Sequence, residues 1–291
     1  MGRRGKRPHR AFLATAATVG LLAAPVSPAK AVVSIGFIDQ SGPTPPALCI
    51  NPDPIDLVQA IGPPAPLYTV PAAPGQSLVI TSWSHHAATG SAAIEFKVYR
   101  PVGGAIYRVV AHDGPRPLTS GTVNTFSGLH IPVLPGDVIG LHTAAAPTAC
   151  HFNVPGQSYL FRSGDLADGQ QGDFQPNNGE QLNVSALVAP DNRLTVHRVK
   201  RNKNRGSARI KLGVPNPGEL HLSGAGVSFR GARDRAVQAG VVSLDVRAFG
   251  RAREKLLDSG KVRVVAQVSY VVAGAEGSFL PVKLTLRKRL G

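Results

Sequence analysis

Short runs in which apolar and polar residues alternate, separated by glycine and proline turns, limit most strongly what this chain can fold into. In one run, Ile94, Phe96 and Val98 alternate with Glu95, Lys97 and Tyr99. Similar alternating runs lie at 182–188, 208–214, 242–247, 262–268 and 282–287. A period of two with one apolar face is typical of a half-buried β-strand. Prolines crowd residues 32–74 and exclude long helices there. The sequence therefore predicts an all-β fold.

Charge divides the chain into two segments. Residues 32–190 carry 5 basic and 10 acidic residues, whereas residues 191–291 carry 21 basic and 7 acidic residues, a net charge of +14. Such an asymmetry favours two domains with different surfaces. We expect a jelly-roll-like or sandwich domain over 32–190 and a smaller immunoglobulin-like β-sandwich of about seven strands over 191–291. Only the stretch Arg253 to Leu257 could form a helical turn in the second domain.

The first 31 residues have the layout of a secretory signal peptide. Five basic residues between Arg3 and Arg10 precede an apolar run from Ala11 to Ala24, and Ala29, Lys30 and Ala31 form an A-x-A cleavage site. Mature protein is expected to begin at Val32 and to be secreted, extracellular or associated with the cell envelope. An uncleaved anchor is the alternative. No later stretch resembles a transmembrane segment.

Two cysteines follow the cleavage site, Cys49 and Cys150. In an oxidising compartment an even pair predicts a disulfide bond. Two separate buried thiols are the alternative. A redox-active pair is disfavoured, because the C-x-x-C spacing that lowers a thiol pKa is missing.

Several motifs resemble a known kind of protein. The segments that carry the resemblance are 80–83 (ITSW), 98–101 (VYRP), 133–141 (VLPGDVIGL), 182–186, 200–206 (KRNKNRG), 210–215, 218–224, 260–272 and 280–289. Together they resemble exported two-domain β-sandwich proteins of actinobacteria with a basic C-terminal immunoglobulin-like module. That resemblance implies that the protein is exported and has two β-sandwich domains. It implies no particular catalytic activity or ligand. Relatives often carry an aspartate repeat of calcium-binding type between the domains, whereas the junction here is only residues 189–192, so a calcium-ordered linker is not implied.

Motifs for catalysis are missing from the sequence, so a non-enzymatic protein without a cofactor is expected. Neither G-x-S-x-G nor H-E-x-x-H occurs. Six histidines of the first segment are interpreted as surface or hydrogen-bonded residues: His85, His86, His112, His130, His142 and His151. A calcium site is the weak alternative, using Asp165, Asp168 and Asp173 in an oxygen-rich loop.

Two surfaces are candidate binding sites. Trp83 and Tyr99 are the aromatic residues that could form a ligand surface in the first domain. The basic run Lys200, Arg201, Lys203 and Arg205 could contact a polyanion. Further basic residues of the second domain are grouped with it: Arg209, Lys211, Arg247, Arg263, Lys283 and Arg287. For an exported protein, anionic envelope or extracellular polymers are the expected partners, and nucleic acid is not. The alternative is that these charged side chains only keep the outer strand faces hydrated and protect exposed sheet edges from aggregation.

The leading functional hypothesis is a secreted or envelope-associated binding protein. Its rival is a secreted enzyme, or a metal- or carbohydrate-binding protein, that uses the first domain.

Overall fold

The computed structural model describes residues 32–38, 47–48, 54–59, 68–90, 93–144, 150–230 and 234–289. These residues form twenty strands and one short helix, which confirms the all-β prediction. The predicted signal peptide, residues 1–31, and Cys49 lie outside the described residues.

The first half of the chain forms twelve strands in two antiparallel sheets. The strands are β1 (Val33–Phe37), β2 (Ala47–Leu48), β3 (Ile55–Gln59), β4 (Leu78–His86), β5 (Ala93–Gly103), β6 (Ile106–Pro117), β7 (Val123–Val133), β8 (Val138–Thr143), β9 (His151–Ser163), β10 (Gln171–Asp173), β11 (Gln175–Leu182) and β12 (Val184–Pro190). One sheet has the order β1-β12-β4-β7; the other has the order β10-β6-β5-β8-β3-β9-β11, with β2 paired to β9. The two sheets pack face to face, as Trp83 of β4 stacks on Phe96 of β5 with 5.3 Å between ring centroids.

The second half forms eight strands and the helix. They are β13 (Thr195–Asn202), β14 (Ser207–Val214), β15 (Gly218–Ser223), β16 (Val227–Arg230), β17 (Asp234–Val237), β18 (Gly240–Ala248), α1 (Arg251–Ser259), β19 (Lys261–Val271) and β20 (Ser278–Arg287). Two four-stranded sheets, β13-β14-β18-β16 and β17-β15-β19-β20, enclose a second apolar core. The predicted helical turn is confirmed, and it is two residues longer at each end. In the described part of the chain, no helix has the length and apolar character needed to cross a membrane.

Several strand boundaries predicted from alternation are confirmed, but two details differ. The run from Leu182 to Val188 is two strands, since Asn183 separates β11 in one sheet from β12 in the other. Lys97 and Tyr99 are also buried, 1% and 0% exposed, although alternation predicts them on a solvent face. The prediction of a half-buried strand is therefore wrong for β5.

A crossing segment, residues 164–174, explains the burial of this second face. The segment begins at the end of β9, which lies next to β3 near one edge of the sheet. It ends in β10, which pairs with β6 at the opposite edge, beyond β5. The segment must therefore pass over the outer face of β3, β8 and β5. Phe174 of this segment makes edge-on contacts with Tyr99 and Tyr107, each with 5.6 Å between ring centroids. The apolar core of the first half therefore extends onto the outer face of this sheet.

Asn216 joins the two halves. This residue is fully buried, and its side chain accepts a hydrogen bond from Ser77 N (2.7 Å) and donates to Ser77 O (2.9 Å) and Asp191 O (2.7 Å). Tyr270 holds the Asn216 backbone from the second half. Each half has its own apolar core, 35–188 and 194–286. The division into separately folding domains stays a prediction, and so does the immunoglobulin-like label.

Candidate functional site

The four basic residues singled out in the sequence lie together on the hairpin of β13 and β14. Lys200 and Arg201 are on β13, Lys203 and Arg205 are in the turn, and all four are exposed. The turn is shaped by Asn202, whose side-chain oxygen accepts hydrogen bonds from the backbone N–H groups of Asn204 and Arg205. A short asparagine side chain that closes its own turn is common in tight hairpins. The turn therefore holds the basic side chains at one end of the module.

An open groove of about 410 Å³ runs along this hairpin. Its walls include the four predicted residues and also Arg209 and Arg247. Arg247 lies on β18, which pairs with β14, and its partner residue on β14 is Ser207. The pairing of two strands that are distant in sequence thus adds a cationic group to the groove.

Two neighbouring depressions continue the groove, because they share residues with it. One of them shares Arg205 and Arg247 with the groove, and the other shares Lys203. We call the joined surface the basic end. Its eleven cationic side chains are Lys200, Arg201, Lys203, Arg205, Arg209, Arg247, Arg253, Lys261, Arg287, Lys288 and Arg289.

Acidic residues do not balance the basic end. Among the residues that line the three depressions, the one acid is Asp245, and both of its oxygens accept hydrogen bonds from Arg209, at 2.6 and 3.0 Å. That contact raises the pKa of Arg209. The surface is consequently strongly positive and open to solvent, the arrangement that attracts anions over long range.

Sequence reasoning found only part of this surface. It pointed to the hairpin, Arg247 and Arg287, whereas Arg253 on α1, Lys261 on β19 and the chain after β20 were not singled out. These residues come together because α1 and the ends of β19 and β20 lie at the same end of the module as the hairpin turn. Conversely, Arg263 and Lys283 were grouped with them in sequence but do not line the depressions.

A second group of charges is buried under the crossing segment. Lys97 Nζ donates to Asp56 Oδ1 (2.7 Å), Asp165 Oδ1 (2.5 Å) and Leu166 O (2.9 Å). His142 Nδ1 lies 3.0 Å from Asp56 Oδ1, and Leu166 N donates to Asp56 Oδ2 (2.9 Å). The hydrogen bond from Lys97 lowers the pKa of Asp165. Asp56 and Lys97 are almost fully excluded from water, while the Asp165 side chain is 56% exposed.

Sequence reasoning missed this buried cluster. Its members come from β3, β5, β8 and the crossing segment. The one local signal was a lysine between two apolar residues on a strand, which is also the ordinary pattern of a solvated face.

The buried cluster also bears on metal binding. Asp56, His142 and Asp165 offer ligand atoms within 4.8 Å of one another. The Lys97 ammonium, however, already contacts both carboxylates and takes the place of a cation. A divalent ion here would lie beside a fixed positive charge, so these residues fit a metal poorly.

The acidic trio considered for calcium is not brought together. Asp165 accepts from Lys97, Asp168 contacts His112 Nδ1 at 2.9 Å, and Asp173 lies on β10. They do not meet as a ligand cluster among the described residues. Calcium favours about six to eight converging oxygens. Asp165, Asp168 and Asp173 therefore do not form the calcium site that the sequence offered as an alternative.

The proposed aromatic ligand surface is also corrected. Trp83 is 1% exposed and Tyr99 is 0% exposed. Trp83 donates a hydrogen bond to Asp113 Oδ2 (2.7 Å) inside the sandwich. Burial and the nearby Asp56 carboxylate raise the pKa of Tyr99 well above its usual value. Neither ring forms an exposed platform.

The histidines follow the interpretation as hydrogen-bonded residues. His85 contacts Asn183 O at 2.8 Å, His130 contacts Asp191, and His142 contacts Asp56. Burial lowers the pKa of His151, against the opposing charge of Glu180. Each of these three contacts joins residues that are far apart in the sequence, so these rings help to hold distant parts of the chain together.

Cys150 is buried immediately before β9. Leu48, which precedes Cys49, pairs with His151, which follows Cys150. Cys49 itself lies outside the described residues, so the disulfide bond stays a prediction that this register favours.

The chain matches no protein-family model and no curated protein, so its similarity to exported actinobacterial proteins stays an expectation.

Proposed function

We propose that this chain is a secreted or envelope-associated binding protein whose basic end contacts polyanionic polymers. The observation that carries the proposal is the convergence of eleven cationic side chains on three joined depressions, whose one acid is paired with Arg209. Arginine forks match phosphate and carboxylate groups well. Phosphate-rich or uronic-acid polymers outside the cell have the matching chemistry.

Several parts of this proposal rest on the sequence alone. The N-terminal layout of basic, apolar and small residues supports export with cleavage before Val32. The first half serves as a disulfide-bonded sandwich domain that carries the basic module, and the protein acts without catalysis. A polymer is favoured over a small ligand because the basic end is open and extends over three depressions.

Removing four charges from the basic end tests the proposal. We expect the variant with Lys200, Arg201, Lys203 and Arg205 all replaced by alanine to elute earlier than the parent from columns of teichoic-acid-like and polyuronate polymers. Exposed ion pairs contribute about 0.2 to 1 kcal/mol each, so losing four, about 0.8 to 4 kcal/mol in total, should weaken binding roughly fourfold to several hundredfold. Binding of the parent should also fall steeply between low and physiological salt, because the screening length shrinks to about 8 Å at 0.15 M.

A charge-matched variant is the control. Arg193, Lys211, Arg263 and Lys283 are exposed and do not line the basic end. Replacing these four with alanine lowers the net charge equally, and this variant should elute much closer to the parent. Equal weakening by both variants would show that total charge, and not the basic end, governs retention. Passage of the parent through the column at low salt would contradict polymer binding altogether.

A further inference from the structure

The side chains of Lys97 and Asp56 hold an amine and a carboxyl group in contact within a site that excludes water. Lys97 Nζ lies 2.7 Å from Asp56 Oδ1, and the two side chains are 1% and 0% exposed. Lys97 is on β5 and Asp56 is on β3, with β8 between them. Gly140 of β8 is the partner of both Lys97 and Val58. The Lys97 side chain therefore spans β8 to reach Asp56 Oδ1.

We infer that Lys97 and Asp56 become joined by a side-chain amide bond, formed by the protein itself. Amide formation requires a neutral amine and a carboxyl group whose Oδ1 can leave as water, so protons must move from Lys97 to Asp56 Oδ1. Fixed contact between them replaces a collision in solution and raises their effective concentration greatly.

The neighbouring groups are placed to move the protons. Asp165 Oδ1, at 2.5 Å, accepts a proton from Lys97 Nζ, which frees its lone pair to attack Asp56 Cγ. Negative charge then develops on Asp56 Oδ2, which accepts a hydrogen bond from Leu166 N at 2.9 Å. A fixed N–H at a developing oxyanion stabilises the transition state. His142 Nδ1, at 3.0 Å, protonates Asp56 Oδ1.

The reaction balances without another reactant. The bond from Nζ to Cγ forms, and the bond from Cγ to Oδ1 breaks. Of the three protons on the Lys97 ammonium, one stays on the amide nitrogen and two leave with Oδ1 as water. Asp165 Oδ2 lies 3.8 Å from His142 Nε2, so the proton taken from Lys97 can return to His142. The water molecule can leave past the Asp165 side chain, which is about half exposed to solvent.

Mass analysis of the purified, full-length folded protein tests the inference. We expect its intact mass, after reduction of any disulfide, to be lower than the sequence mass by one water molecule. Glu95 is the first glutamate of the chain, and Glu180 is the next. A glutamyl endopeptidase applied to reduced, denatured protein should therefore release the segment ending at Glu95 still joined to segment 96–180. Trypsin should also fail to cleave after Lys97.

Lys97→Arg provides the matched control. Arginine keeps a cation and hydrogen-bond donors beside Asp56 and Asp165 but has no amine to acylate. Its mass should equal the sequence mass, and its two glutamyl fragments should separate. Asp165→Asn should leave a smaller fraction joined, since the proton acceptor is lost. Parent protein that is folded by circular dichroism, has its full sequence mass and gives separate fragments would overturn the inference, whether or not the Lys97→Arg variant folds.

Discussion

At the residue scale, single contacts decide the properties of individual side chains. Gly140 is an example, because a Cβ there would lie 2.8 Å from Tyr99 Cε2 and 2.0 Å from Leu57 O. Glycine at this position therefore permits the Tyr99 ring to lie flat over β8. We expect any larger residue at 140 to disrupt the core beneath the crossing segment.

His112 should titrate at a higher pH than an ordinary histidine. Its hydrogen bond to Asp168 raises its pKa, helped by Glu95 and opposed by burial and Lys97. A raised folded-state pKa means that the contact stabilises the fold fully below the unfolded pKa of about 6.5 and that this stabilisation is lost as pH rises through the folded pKa. Both side chains are about half exposed, so the effect on stability is small.

Nuclear magnetic resonance titration of the imidazole protons checks this prediction. Asp168→Asn should bring the His112 pKa back toward its ordinary value and leave the fold intact. An unchanged His112 titration in that variant would show that another group sets the pKa.

At the scale of elements, alternation predicts strands well but does not say what covers them. β5 alternates as a half-buried strand should, and yet both of its faces are buried, because the crossing segment packs over the outer one. That segment is held by Leu166 and Phe174, by hydrogen bonds to β6, and by contacts of Asp165 and Asp168. A loop with this many contacts is part of the core and not a mobile surface connection.

The β2–β9 pairing favours a bond between Cys49 and Cys150. Neither cysteine should react with an alkylating reagent in denatured, unreduced protein, and both should react after reduction. Replacing both with serine should cost about 4 to 5 kcal/mol in the chain-entropy model for a loop of about 100 residues. Urea unfolding measures that loss. Two reactive thiols before reduction would rule the bond out.

At the scale of the whole molecule, two apolar cores meet at a hydrogen-bonded joint. Residues 189–192 connect β12 to β13, and Asn216 bonds both to this connection and to Ser77 of the first half. A buried polar side chain that bonds both to the connection and to the other half acts as a specific link between the two halves. The halves are therefore expected to fold separately and to stabilise each other.

Asn216→Ala should weaken that mutual stabilisation. The variant loses three side-chain hydrogen bonds, which contribute about 0.5 to 1.5 kcal/mol each, so the full chain should lose roughly 2 to 4 kcal/mol. Calorimetry of the full chain and of fragment 191–291 separates the two effects, since the fragment lacks Ser77 and should be affected less. Equal losses in both would place the role of Asn216 inside the second half. Unfolded fragments 32–190 or 191–291 would show that the boundary is wrong.

The sequence by itself determined the fold class, most strand positions, the short helix and the exposed basic hairpin. These are local properties, because side chains alternate across a strand and turn residues mark its ends. Tertiary structure alone decided which faces are covered and which distant residues meet. Lys97 is buried beside Asp56 because a segment about 70 residues later crosses the sheet. The basic end is complete only where the end of β18, helix α1, the start of β19 and the end of β20 come together. Such contacts depend on how sheets pack, and a strand's own pattern contains no record of the element that lies over it.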